Sequence, residues 1–334
     1  MAQSFYPITP TEVTPATANA WTDVDVSGSV PSGATGVILH IVNKSTDTVL
    51  AISVRKNGST DNRTQTTHYI HHWWGAIGID ANRIFEAYVG STTDIDIYLV
   101  GYTISGVTFL TNATDKSLGT AGSWLDIDCS TEAPSAVGLI WEVTGTANEN
   151  FNFRKNGSTD NRIDGGVYRH MWAMVGCDAS QICEGWIQTT DVDFFLVGYV
   201  TDGATFKTNA DDKSLGTIDT WLDIDCSTEA PSAAMLFFEV QRPTAAGYYG
   251  LRKNGSAEDI YYYCRQHASA FVECDTSQIV EGKIGATEVD FFLVGYAEAA
   301  AVGWTHSFLG VANANIGNIM GVAKANIGNV SGVA

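Results

Sequence analysis

Three histidines stand in one register of a repeated pattern. Counting back seven residues from Ile79, Cys177 and Cys274 reaches His72, His170 and His267. If the segments carrying them packed around a pseudo-threefold axis, the imidazoles could form a metal-binding or proton-sensing cluster. No HxH or HxxxH ligand spacing recurs beside them. A strand histidine held by a neighbouring backbone group accounts for the same register, and no metal or other cofactor is expected.

Carboxylates recur in pairs: Asp23/Asp25, Asp126/Asp128 and Asp223/Asp225, then Asp94/Asp96, Asp191/Asp193 and Glu288/Asp290. Alternate positions on a strand share a face, which is the geometry of a calcium site or of a glycosidase acid pair. The calcium-loop spacing with its closing glutamate is missing, and an enzyme with three equivalent catalytic pairs would be unusual. A solvated acidic strand face is the expectation, and no catalytic residue is assigned. Arg55/Lys56, Arg154/Lys155 and Arg252/Lys253 take a large share of the 18 basic residues. They are expected to pair with the repeated acids Glu86, Glu184 and Glu281, or to mark a contact between copies. Aromatic clusters differ from copy to copy. Trp73, Trp74, Trp172, Tyr261 and Tyr262 are either core residues or, if exposed, stacking surfaces for a glycan.

The elements that position these groups follow from a repeat of about 97 residues. Trp-Leu-Asp-Ile-Asp-Cys-Ser-Thr-Glu-Ala-Pro-Ser begins at Trp124 and again, unchanged, at Trp221, with a diverged form from Trp21. Arg-Lys-Asn-Gly-Ser begins at Arg55, Arg154 and Arg252, and Leu-Val-Gly-Tyr ends at Tyr102, Tyr199 and Tyr296. The chain divides into an N-terminal arm with the first copy (1–104), a second copy (105–201), a third (202–299) and a C-terminal arm (300–334). Leu125, Ile127 and Cys129 alternate with Asp126 and Asp128, the period of a half-buried strand. Asn-Gly at 57–58, 156–157 and 254–255 signals turns in which both residues tolerate positive φ. The fold class is all-β: three tandem β-sandwiches, jelly-roll or immunoglobulin-like. The segments after Asn-Gly-Ser (61–68, 160–166, 257–262) drift in composition and read as variable binding loops. The six cysteines exchange with Val or Ile between copies, as small buried hydrophobes do, so disulfides are not expected.

Charged residues are only 16% of the chain, yet the net charge is −19. That balance argues against nucleic acid, whose phosphates need clustered Lys and Arg, and against an anionic membrane. Residues 1–7 lack the basic start and apolar run of a signal peptide. From Gly310 the sequence repeats every eleven residues, at Gly310, Gly321 and Gly332. On a helix, Val311, Ile316, Ile319, Val322, Ile327 and Val330 would share one broad side. So much Gly and Asn makes an isolated helix unstable, and the segment is expected to take its structure against a partner.

Tandem β-copies with Arg-Lys-Asn-Gly-Ser and Leu-Val-Gly-Tyr, ending in Gly-Val-Ala-Lys-Ala-Asn-Ile-Gly, resemble structural proteins of tailed bacteriophages and prophages. The resemblance implies a non-enzymatic virion component: a capsid decoration protein, head fibre or tail-associated protein, often trimeric, assembled in the host cytoplasm. The implied partners are a major capsid or other virion protein and further copies of the same chain. The alternatives are an adhesion module binding a host glycan and a self-polymerising extracellular filament.

Overall fold

The structure, a computed structural model, describes residues 3–163, 166–242, 247–264 and 266–299, with two short strands at 318–319 and 322–323. Every regular element among the described residues is a strand.

The first copy holds β1 (Phe5–Glu12), β2 (Thr22–Asp25), β3 (Gly36–Asn43), β4 (Leu50–Lys56), β5 (Thr66–Thr67), β6 (His71–Gly78), β7 (Ile84–Val89) and β8 (Ile95–Thr103). They form two sheets, ordered β1-β8-β3-β6 and β2-β7-β4-β5. Successive strands mostly cross from one sheet to the other, and the two orders together are those of an eight-stranded jelly roll. That settles the alternative left open by the alternation pattern. Burial follows the alternation: Val24 is buried while Asp23 and Asp25 on the same strand are exposed.

The third copy repeats the plan with β15 (Ala204–Asp212), β16 (Leu222–Asp225), β17 (Ala233–Gln241), β18 (Tyr248–Lys253), β19 (Tyr262–Tyr263), β20 (His267–Glu273), β21 (Ile279–Ile284) and β22 (Asp290–Glu298). Its sheets are β15-β22-β17-β20 and β16-β21-β18-β19. The second copy, β9 (Val107–Asp115), β10 (Leu125–Asp128), β11 (Gly138–Lys155), β12 (Gly166–Gly176), β13 (Ile182–Ile187) and β14 (Val192–Val200), runs pairs of strands together. The first half of β11 pairs with β14 and β12, and its second half crosses to pair with β13.

Arg55 meets Glu86 through two bonds of 2.9 and 3.0 Å, Arg154 meets Glu184 likewise, and Arg252 lies 2.9 Å from Glu281. The guanidinium groups also lie 4.0, 4.1 and 4.0 Å from the ring centres of Trp21, Trp124 and Trp221. The repeated arginine is thus an internal brace, as the repeated acids suggested, while Lys56 donates to the Phe109 carbonyl of the second copy and makes the contact between copies that was the alternative. In the Asn-Gly turns only Gly58, Gly157 and Gly255 take positive φ (81°, 81° and 75°), not the asparagines. Each asparagine instead donates its side-chain amide to Asp80, Asp178 or Asp275.

All six cysteines are buried and unpaired. In the tail, Asn318 pairs with Ala323 and Ile319 with Val322, antiparallel. Those two arm positions are therefore extended rather than helical. Val311, Ile316, Ile327 and Val330 lie outside the described residues.

Candidate functional site

The three copies contact one another in a closed cycle, and the register histidines mark its three seams. β6, β12 and β20, which carry them, pack against each other pairwise. His170 of the second copy reaches the first: its Nδ1 lies 2.8 Å from the Ile52 carbonyl. His267 of the third copy packs its ring 4.7 Å from that of Phe151 in the second. His72 of the first copy reaches the third, with Nε2 3.1 Å from the Tyr249 carbonyl. Ile52, Phe151 and Tyr249 each stand three residues before the repeated arginine, so one contact is made cyclically by equivalent positions. The histidines lie at separate seams, and no group of three potential metal ligands occurs among the described residues. The cluster considered for His72, His170 and His267 is therefore not assembled, and each histidine instead has one partner in its own copy and one across its seam.

At two seams the histidine belongs to a buried ionic clamp. His170 Nε2 lies 2.7 Å from Glu142 Oε1, and Arg63 of the first copy donates to Glu142 Oε2 at 2.6 and 2.8 Å. Both ring nitrogens of His170 face oxygen atoms, the Ile52 carbonyl and the Glu142 carboxylate. The seam between copies two and three repeats this: His267 is 3.2 Å from Glu239, which also accepts from Arg162 at 2.7 and 2.9 Å. Asn152 and Gln241 add bonds of 2.5 and 2.6 Å to Glu239. Burial pushes the Glu239 carboxyl up, but the Arg162 charge and the bonds from His267 and Arg162 outweigh it and hold the group down at about 2. Arg63 and Arg162 also stack over Phe195 and Phe292 of the following copy, at 4.3 and 4.7 Å.

A second lock accompanies each clamp. Phe109 lies against Gly36 and Gly78 of the first copy so closely that a Cβ on Gly36 would sit 2.2 Å from its ring. Phe206 takes the same seat against Gly138 and Gly176, with the same 2.2 Å approach. Asn112 Oδ1 accepts from the Ser59 hydroxyl and the Thr60 amide, and Asp61 accepts from the Ala113 amide. Asn209, Ser158, Thr159, Asp160 and Ala210 repeat that network. The drifting loops after Asn-Gly-Ser are thus seam elements.

The third seam, between copies three and one, keeps the histidine and the serine, as His72 and Ser256, but changes the clamp, the phenylalanine, its glycine seat and the asparagine. Where the clamp has arginine it has Ile260, and where it has glutamate it has His40. Pro7 replaces the phenylalanine, Met235 and Glu273 replace its glycine seat, and Pro10 replaces the asparagine. A single parallel bridge, Tyr263 to His71, joins the two copies into one eight-stranded sheet. The poorer fit leaves a cavity of about 300 Å³ lined in part by Trp74, Trp221, Ile260 and His40; at the other two seams the spaces are about 40 and 10 Å³.

Trp73, Trp74 and Trp172 are buried, with Trp73 and Trp172 stacked at 4.9 Å across a seam, so they present no surface to a glycan. Tyr261 and Tyr262 remain half-buried; Tyr261 donates to Asp219 and lies beneath Lys283. Asp25, Asp128 and Asp225 accept from the amides of Ser27, Ser130 and Ser227, which together with the serine side chains hold these carboxyls below their usual range. They cap turns on an exposed face.

No family model matches the chain, and no curated protein matches it. The solved structures that bear a distant likeness include the following three. One is the M60 catalytic domain with the CBM51-1 and CBM51-2 domains from Clostridium perfringens ZmpB, with 6% identity, a TM-score of 0.20 and 83% of this chain covered. This chain spans only 33% of that one. The tandem CBM22-1-CBM22-2 domain of Paenibacillus barcinonensis Xyn10C has 9% identity and a TM-score of 0.17, covering 89% of this chain and 99% of that one. The lipid-containing bacteriophage PM2 structure has 9% identity and a TM-score of 0.17, covering 90% and 91%. No residue role is carried over from any of them.

Proposed function

We propose that this chain is a non-enzymatic virion structural protein of the capsid-decoration or head-fibre type, which presents a ring of three jelly rolls and docks through its terminal arms. The observation that carries the reading is where the chain ends leave the ring. The first strands of the three copies start together: Ser4 donates to the Ser105 carbonyl, and Cβ atoms on Gly106 and Gly203 would meet Ser4 at 2.4 and 2.3 Å. The Glu298 amide bonds to Gly203 at the same place, and Ala299 bonds to Ser232. The N-terminal residues and the start of the tail therefore leave from one pole. A single attachment point beneath a rigid head suits a decoration protein or fibre base, and the 16% charge content with a net −19 suits an exposed particle surface.

The test is deletion of 305–334 followed by particle incorporation and electron microscopy. Loss of incorporation with an intact ring is expected. Normal incorporation of the truncated ring would remove the arm from the account. Binding of the intact ring to a glycan array through Tyr261 or Tyr262 would favour adhesion instead.

A further inference from the structure

We propose that the seam between copies three and one is an acid-opened joint: protonation of the His40–His72 pair parts these two copies while the other two seams stay closed. The hydrogen-bond pattern fixes the chemistry. The Tyr249 carbonyl can only accept, so His72 Nε2 carries the donated proton. His72 Nδ1 is then bare in the neutral ring and accepts from His40 Nε2 at 2.9 Å. Adding a proton to both rings sets two N–H groups against each other, and a charge on either ring lies in the interior without an acid in contact. His72 is fully buried, His40 is 5% exposed, and Trp74 stacks flat on His40 at 3.7 Å.

The surrounding charges are committed elsewhere. On β8, Asp96 accepts from Tyr98 and pairs with Lys44 at 2.8 Å, with Glu12 on β1 lying toward the same group. On β18, Arg252 is paired with Glu281, and Lys253 is paired with Glu273 of β20. Glu258 in the following loop is held toward its neutral form by burial. Tyr249 donates its hydroxyl to the His72 carbonyl, Tyr262 of β19 stands with its ring 6.0 Å from His72, and His71 bonds Thr67. Burial drives His40 down to about 3, and burial together with the His40 neighbour drives His72 well below its usual value. The other two seams hold no such imidazole pair: there the histidine faces a carboxylate clamped by arginine.

Both imidazoles return to ordinary values near 6.5 when the seam parts. The closed state is therefore favoured above pH 6.5, and this preference is lost as pH falls below it. With two protons taken up on opening, the opening equilibrium should rise roughly fifty- to hundredfold between pH 6 and pH 5. The test is hydrogen exchange of the full chain, with labelling times corrected for pH, comparing β6 and β18 with β11 and β12. Selective loss of protection at β6 and β18 is expected. H40Q removes one titrating ring and should reduce the slope to about tenfold per pH unit. H40E combined with I260R installs the clamp of the other seams and should make the third seam respond as they do. Simultaneous loss at all three seams, no loss by pH 4, or an unchanged slope in H40Q would overturn the proposal.

Discussion

The Arg162–Glu239 clamp offers the strictest test of how the copies are held together. Glu239 is 6% exposed, and its folded value falls from 4.5 to about 2. That difference corresponds to roughly 3 kcal/mol favouring the charged form in the closed ring. Because the folded value is depressed, the contribution is fully present above pH 4.5 and disappears as pH falls through about 2. Arg162→Gln keeps much of the side-chain stem but removes the cation bonded at 2.7 and 2.9 Å. His267, Asn152 and Gln241 remain on the carboxylate, so the loss should lie at the lower end of the 3–5 kcal/mol typical for breaking a buried pair. Urea unfolding followed by tryptophan fluorescence at pH 7 should show the first transition weakened by ~3 kcal/mol. The gap between variant and parent should close as pH approaches 2. A loss below about 1 kcal/mol at pH 7, or a gap independent of pH, would refute an electrostatic clamp.

Two further outcomes follow from the packing. Gly36→Ala places a Cβ 2.2 Å from the Phe109 ring and 2.6 Å from the Ile77 carbonyl, so it should cost ~1–3 kcal/mol in thermal unfolding, whereas Gly28→Ala meets nothing within 4 Å and should be near neutral. Burial pushes the Cys129, Cys226 and Cys274 thiols up to about 12, and Cys177 up to about 11. With all six cysteines buried, a disulfide-exchange reagent at pH 8 should label none of them in the native chain and all six in urea; rapid native labelling would contradict that burial.

The strands were legible because alternation is a local property. Asp23, Val24 and Asp25 declare a half-wet strand without reference to the rest of the chain, and the interchange of Cys with Val or Ile declares a buried site. The order of those strands is not local, which is why jelly roll and immunoglobulin sandwich looked alike until the β1-β8-β3-β6 pairing separated them. The Arg55, Arg154 and Arg252 braces were visible as repeats with a repeated acid. The clamps were harder to see, for a physical reason: each column contacts a different column in the neighbouring copy. Arg63, Arg162 and Ile260 change together with Glu142, Glu239 and His40, and Phe109, Phe206 and Pro7 with Gly36, Gly138 and Met235. That signal is present in the three copies, but it acquires meaning only when one copy is compared with the next. The aromatic clusters left core and surface both open, and the stacking of Trp73 on Trp172 across a seam decides for core, a contact that no single copy could reveal.

Closure also explains why the exceptional seam is the one between copies three and one. Copies one and two are joined by residues 104–106, and copies two and three by 201–203. Such short tethers hold each pair at high effective concentration, so those seams reclose readily whenever they part. Copies three and one share no direct tether, and their seam alone can separate widely while the chain keeps its other contacts. Ionic clamps and phenylalanine locks at the tethered seams keep each linked pair rigid. At the free seam, a neutral imidazole pair, a single sheet bridge and a cavity of about 300 Å³ leave closure dependent on conditions. A triplicated chain drifting without constraint would be expected to scatter its losses over all three seams. Here Arg, Glu, Phe, both glycines and Asn are all replaced at the one seam where opening changes the shape of the whole ring.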